Sequence, residues 1–332
     1  MKYFSLAGCR GLALLASVAL MVAVLANVRA QAQNFPVKPI RVIMPTAPGS
    51  PPDYVLRVLA SKMSEGTGQP IIVENRSGAG GTLGAAAAAK AAPDGYTIMM
   101  GSVTSLSIGP AMFPSAGIDP VKMFAAISQV AAVPSVVAVP VSLQVSTLRQ
   151  FVDLIAANPG KYNYGSPAVG SPPSVSGALF LRTVGVDMVH VPYGDPAKVV
   201  AAVLNGDVHM FIDTLASIGP QVKAGKMRLL AVAADKRSPF VPDVPTVAET
   251  GLPPFESGSW SGLLAPAGTP AAIIQRLNLE TRRGADTKEM RDVMAGQGGE
   301  VLWSTPEQFA KLVADEAIKW AKAVALSGAK TN

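Results

Sequence analysis

Cysteine, histidine and charge are all scarce in this chain of 332 residues. Its one cysteine, Cys9, lies at the N-terminus, so the rest of the chain has no thiol chemistry and no internal disulfide. Two histidines, His190 and His209, are too few for a typical zinc or non-haem iron site. Charged residues make up only 15%, against 49% hydrophobic, a balance that excludes a disordered chain. The net charge of +6 owes half its value to Lys2, Arg10 and Arg29, and the remaining 25 basic and 22 acidic residues are scattered. No Lys/Arg block occurs, so the electrostatic footprint of a nucleic-acid binder is missing. Enzyme signatures are missing too. No phosphate loop and no Gly-x-Ser-x-Gly elbow is present.

What is present begins with an address. Lys2 and Arg10 precede an uncharged Leu/Ala/Val stretch from Gly11 to Val28, and Ala30-Gln31-Ala32 supplies a small-x-small cleavage pattern. Residues 1–32 are expected to be a signal peptide, removed on export to the periplasm. The stretch is nearly long enough to serve as a membrane anchor instead, but its alanine content and cleavage motif favour removal. Leu6-Ala7-Gly8-Cys9 has the look of a lipoprotein box but precedes the apolar core. No later run is apolar enough to cross a membrane.

Downstream, short β-branched runs alternate with helical patterns, which predicts an α/β fold in a length sufficient for two domains. Strands are expected at Ile40–Met44, Pro70–Glu74, Tyr96–Met100, Val136–Val139, Met188–Val191, Val208–Ile212 and Leu229–Val232. Ser50-Pro51-Pro52-Asp53 reads as an N-cap, a proline at the first helical position and an acid three residues after the cap. A second helix is expected over Leu83–Ala92, a third capped by Ser146, a fourth running through Phe180, and a last one opening at Thr305-Pro306-Glu307-Gln308. Gly78-Ala79-Gly80-Gly81-Thr82-Leu83-Gly84 nearly matches a dinucleotide fingerprint, but its last glycine is one residue late. The tight-turn reading is preferred.

Several strand-to-helix junctions are rich in Gly, Ser and Thr: Pro48-Gly49-Ser50, Ser77–Thr82, Gly101–Ser107 and Gly165–Ser171. In an open α/β sheet such junctions gather at the carboxyl ends of the strands, where ligands bind. Unpaired amides at helix starts, together with hydroxyls, suit a carboxylate. Asp53 and Asp213 can be read as a catalytic pair, but structural or ligand-orienting roles are favoured. The histidines sit in strand patterns and are expected to be packed or hydrogen-bonded. Trp260, between Ser259 and Ser261, is left open between cleft and core.

The sequence resembles one family along nearly its whole length after residue 32, the Bug (TctC-like) extracytoplasmic solute receptors of tripartite tricarboxylate transporters. The resemblance is carried by Phe35-Pro36-Val37-Lys38-Pro39-Ile40-Arg41-Val42-Ile43, Glu74-Asn75-Arg76-Ser77-Gly78-Ala79-Gly80-Gly81 and Ala91-Ala92-Pro93-Asp94-Gly95-Tyr96-Thr97. Val191-Pro192-Tyr193, Pro242-Asp243-Val244-Pro245-Thr246 and Ala265-Pro266-Ala267-Gly268-Thr269-Pro270 extend it.

The resemblance implies a two-lobe type II periplasmic-binding-protein fold with a two-strand hinge. Lobe one would comprise residues 34–134 plus 253–332, and lobe two 135–252. It implies a monomer without cofactor or metal and without catalysis, which captures a small organic acid. The bound receptor would serve membrane permease subunits or a sensor kinase. The site residues it carries over are Pro48, Gly49, Ser50 and Asp53, then Ser102 and Ser105, then Ser166, Gly170, Ser171, Ala197 and Asp213. Departures from the family pattern bear on the ligand. Pro51 and Pro52 each remove an amide donor. Ser174 and Ala178 stand where many members have His and Glu, and Gly194-Asp195 where they have a basic-Gly pair. These changes imply a less highly charged ligand, a monocarboxylate or aromatic acid rather than citrate.

Overall fold

The structure, a computed structural model, describes residues 35–329. The signal peptide expected over 1–32 lies outside them. The elements are β1 (Ile40–Met44), α1 (Pro51–Thr67), β2 (Ile71–Asn75), α2 (Thr82–Ala89), β3 (Thr97–Ser102), β4 (Phe124–Pro140), α3 (Leu148–Ala156), β5 (Asn163–Ser166), α4 (Pro172–Val184), β6 (Val189–Pro192), α5 (Pro196–Asn205), β7 (Phe211–Thr214), α6 (Leu215–Lys223), β8 (Met227–Ala233), β9 (Gly258–Pro266), α7 (Ala271–Ala285), α8 (Lys288–Gly296), β10 (Glu300–Val301) and α9 (Pro306–Leu326). Among the described residues, no helix is long and apolar enough to cross a membrane.

The first lobe is built on strands in the order β10-β4-β9-β3-β1-β2. β2, β1 and β3 run parallel, while β9 is antiparallel to both β3 and β4. Strands covered on both faces read as continuous apolar runs, which is why Ile40–Met44 shows no alternation. On one face α1 and α7 pack Val55, Leu56, Leu59 and Leu277 against Val42, Ile98 and Leu263. On the other, α9 brings Phe309, Val313, Trp320 and Val324 against Ile43, Met99 and Leu264. Gly262 makes that approach possible. A Cβ there would stand 2.3 Å from Phe309 Cζ and 2.5 Å from the Ser128 carbonyl oxygen.

β4 decides the architecture. The sequence shows only Val136–Val139 as a strand, but the element is 17 residues long. Its first part, to Pro134, pairs with β9, and from Ser135 onward it pairs with β7 and β8. The chain returns alongside. Ser135 N–H donates to Ser257 O and Ser257 N–H to Ala233 O, both at 2.9 Å. Two strands therefore join two α/β lobes. The second lobe flanks its sheet with Phe151, Phe180 and Ile212 on one side and Val203, Phe211 and Ile218 on the other.

Local expectations fare unevenly. Thr305 closes a capping box with Gln308 at the start of α9. At α3 the box belongs to Thr147 and Gln150, not to Ser146, because Gln150 reaches the amides of both residues while only the Thr147 hydroxyl accepts from the helix. β7 begins at Phe211 and includes Asp213, so that aspartate lies inside the strand rather than beyond it. The run Gly78–Gly84 forms a tight turn of left-handed glycines leading into α2, as the simpler reading had it.

Candidate functional site

The junction after β1 is organised from inside. Asp53, in the first turn of α1, is only 1% exposed. Its Oδ2 accepts from the Gly49 amide and Arg57 Nε, both at 2.9 Å, and its Oδ1 accepts from Asn75 Nδ2 at 2.8 Å and Arg57 Nη2 at 3.2 Å. Burial pushes this carboxyl up, but hydrogen bonds from Arg57, Asn75 and Gly49 and the Arg57 charge outweigh it and hold it below the usual range. The N3 acid thus reaches back past the cap to Gly49 and folds the turn. Ser50 Oγ is 2.8 Å from Thr46 Oγ1, and the Ser50 amide donates to Ala47 O. Pro48, Gly49, Ser50 and Asp53 are brought together as expected. Their hydrogen bonds run to one another and to Thr46, Ala47, Arg57 and Asn75.

Ser102 ends β3 and Ser105 sits in the π-helical turn Thr104–Ile108 that follows. The Ser102 amide donates to Ser105 Oγ at 3.0 Å, and the two hydroxyls are 3.4 Å apart. In lobe two, Ser166 is fully buried, its hydroxyl donating to Ala168 O at 2.9 Å and pairing with His190 Nε2 at 2.7 Å. His190 also stacks on Tyr164, and His209 Nδ1 meets Asn163, so both histidines are packed and hydrogen-bonded. Burial lowers the affinity of both rings for a proton. Ser171 precedes α4 with its hydroxyl on Ala168 O. Gly170, at φ 76°, lies under Met112 of lobe one, whose Sδ would be 2.7 Å from a Cβ. The lobes touch there.

One expected contributor has its amide engaged within its own turn. Ala197 is exposed, and its amide is taken by Asp195 Oδ1 at 2.7 Å. Asp195, read from sequence as an acid added near the cleft, is the N-cap of α5, where a side-chain oxygen satisfies a first-turn amide. Ser174, in the place of the family's histidine, is fully buried with a hydroxyl that has no partner among the described residues.

Asp213 is half-buried on β7, opposite Val136 of β4. Desolvation pushes its carboxyl up, against weaker pulls from the Thr214 amide and the Ser217 hydroxyl. A carboxyl raised in the folded state binds more protons there than unfolded, so stability falls as pH rises past the ordinary aspartate range. Asp213→Asn is therefore expected to raise the melting temperature at pH 7, with the gain vanishing below about pH 4, where the unfolded-state carboxyl also protonates. An unchanged or lowered melting temperature at pH 7 would refute the assignment.

Between the strand ends of the two lobes lies a cavity of about 180 Å³. Pro51, Pro52 and Val55 of α1 form one wall, Ser102 and the strand residues Ser259 and Ser261 another, and Thr214 and Ala216 of lobe two a third. Ala131, Val133, Trp260, Met294 and Gln297 complete it, and no charged side chain lines it among the described residues. Of the eleven residues singled out from sequence, Ser102 alone lines this cavity, while Pro51 and Thr214 adjoin two others. Ser259 and Ser261 were legible only as an alternation. Two residues apart on β9, they share a face, and the intervening Trp260 turns to α9, edge-on to Phe309. Trp260 is core, 5% exposed, and also borders the cavity.

The sequence model of the tripartite tricarboxylate transporter family receptor matches residues 55–328. Protein BugT of Bordetella pertussis is 33% identical over 300 residues, covering 90% of this chain and 92% of that one. Among solved structures, MatC from Rhodopseudomonas palustris with bound malate is 33% identical, with a TM-score of 0.70, covering 87% of this chain and 100% of its own. Rpa4515 of R. palustris with adipate is 31% identical, with a TM-score of 0.72, over 89% of this chain and 98% of its own. In sequence and in fold, the chain belongs to the tripartite tricarboxylate transporter receptor family.

Proposed function

We propose that this chain is a periplasmic receptor that takes up a small, singly charged organic acid with an apolar body and presents it to membrane permease subunits. The observation that carries the reading is the uncharged, hydroxyl-bearing cavity between the strand ends of both lobes. Hydroxyls of Ser102, Thr214, Ser259 and Ser261 suit one carboxylate, and Pro51, Val55 and Met294 suit a hydrocarbon or ring. A second carboxylate would enter a site with no cation to meet it. Malate and adipate in two relatives support the carboxylate class.

Lobe one would comprise 34–134 plus 253–332 and lobe two 135–252, hinged at the two crossing strands. A ligand that touches both lobes favours the closed state by its differential contacts, and closure is what a membrane partner reads.

The test is a thermal-shift panel on the mature protein, unfolded and refolded to strip carried-over ligand, with hexanoate, benzoate, malate, adipate and citrate. At 100 times its dissociation constant a bound acid adds about 2.7 kcal/mol. Shifts with hexanoate or benzoate are expected. Shifts with di- or tricarboxylates alone would overturn the single charge, and no shift with any acid would overturn the carboxylate class.

A further inference from the structure

We infer that Gln297 is a specificity-determining ligand donor of the cavity, supplying the hydrogen bonds that the first loop has lost. The inference rests on the reading of that cavity as the ligand site. The first turn of α1 is where a helix ordinarily offers free amides to an anion. Here its first two positions are Pro51 and Pro52, which have none. Neighbouring amides are engaged, Gly49 N–H on Asp53 and Ser50 N–H on Ala47 O, and the Ser50 and Thr46 hydroxyls share one hydrogen bond. A carboxylate arriving at this wall finds fewer donors than an ordinary helix start offers.

Gln297 stands beside the gap. It follows α8, its backbone amide held by Met294 O at 3.0 Å. Its side-chain Nε2 rests on the Pro51 carbonyl at 3.4 Å, a long bond to an oxygen that lies within the helical turn. Such a bond is weak and readily exchanged for a charged acceptor, which binds an N–H about twice as strongly. Gln297 is the one amide side chain lining the cavity among the described residues, with one N–H free and the other held only by that long bond to Pro51.

Its turn is also a contact between lobes. Gly298, at φ 67°, lies against Leu215 at the start of α6, where a Cβ would be 2.6 Å from the Leu215 Cβ. Thr214, next in sequence to Leu215, lines the same cavity. The amide therefore sits at the seam, with α1 on one side and the lobe-two hydroxyl on the other. Being neutral, it can meet one carboxylate without favouring a second.

The experiment titrates hexanoate, benzoate and adipate into the refolded mature wild type and the variants Gln297→Ala, Gln297→Glu and Gln297→Lys, with ligand-free melting temperatures as the fold control. Gln297→Ala is expected to bind hexanoate and benzoate about ten-fold or more weakly, the loss of a hydrogen bond to a charged group. Gln297→Glu should weaken them further by repulsion. Gln297→Lys should raise the affinity for adipate relative to hexanoate, a swing that a merely structural residue would not produce. Equal affinities in wild type and Gln297→Ala, at equal melting temperatures, would overturn the inference while leaving the receptor reading intact. If a variant melts lower, the adipate-to-hexanoate ratio decides, since misfolding lowers both alike, and an unchanged ratio in Gln297→Lys overturns the inference. A wild type that binds none of the acids would overturn both.

Discussion

Replacing Asp53 with asparagine is expected to destabilise the protein by about 3 kcal/mol, a fall in melting temperature of about 5–10 °C. The carboxylate is 1% exposed and both its oxygens are occupied, by Gly49, Arg57 and Asn75. An amide of the same shape can accept at one position only and sets an N–H group against the Arg57 guanidinium or the Gly49 amide. Loss of one partner of a buried pair reaches about 3–5 kcal/mol when the other charge is trapped. Here the Arg57 side chain is 48% exposed and can turn to water, which places the cost at the lower end.

The pH dependence follows from the direction of the shift. A carboxyl held low in the fold contributes its full stability above its unfolded value of about 3.9, and that contribution disappears as pH falls through the folded value. The gap between wild type and variant should accordingly be constant from pH 6 to 8 and shrink below about pH 4. Thermal melts across that range check it, and a variant within 1 °C of wild type at pH 7 would refute the anchoring role. Because the turn at 46–50 sets the position of Pro51 and Pro52, acid binding should weaken in the same variant.

The second large effect is expected at Glu316, on α9. Its Oε2 accepts from Trp320 Nε1 at 2.7 Å and from Trp260 Nε1 at 3.0 Å, while Oε1 accepts from Lys319 Nζ at 2.7 Å. Trp320 is fully buried and Trp260 nearly so. Glu316→Leu would leave two buried indole N–H groups without an acceptor, each worth about 1–3 kcal/mol, for a total loss of about 2–6 kcal/mol. Glu316→Gln keeps a carbonyl oxygen that both indoles can share, and its loss should be less than half as large. Denaturant unfolding followed by tryptophan fluorescence reads both variants. Equal losses in the two would refute the hydrogen-bonding account and point to packing alone. Since Trp260 lies between the cavity residues Ser259 and Ser261, the leucine variant should also bind acids less tightly.

Sequence legibility followed the range of the interactions. β1, α1 and α9 could be read directly, because apolar spacing, a proline at the first helical position and a Thr-x-x-Gln box act within one or two turns of chain. Pro51 and Pro52, two positions whose missing amides are legible in the sequence, line the uncharged cavity. β4 was seen only in its second part. Phe124–Pro134 becomes a strand through its pairing with β9, more than a hundred residues away. For Asp53, residue type and position signalled a role near the turn, but local pattern cannot show whether a carboxylate faces a ligand or the guanidinium of Arg57.

The sequence by itself determined the α/β class, elements such as β1, α1 and α9, the glycine turn at 78–81, the scarcity of charge and the family to which the chain belongs, because these are properties of composition and short-range pattern. Only the tertiary structure decided which groups meet. It spends the Gly49 amide on Asp53, Asp195 on a helix cap and His190 on Ser166, and brings Ser102, Thr214, Ser259 with Ser261, and Gln297 from four separate stretches around one cavity. A hydrogen bond reaches about 3 Å and is blind to sequence separation, so the availability of a donor is settled by the fold, after every closer partner has been served.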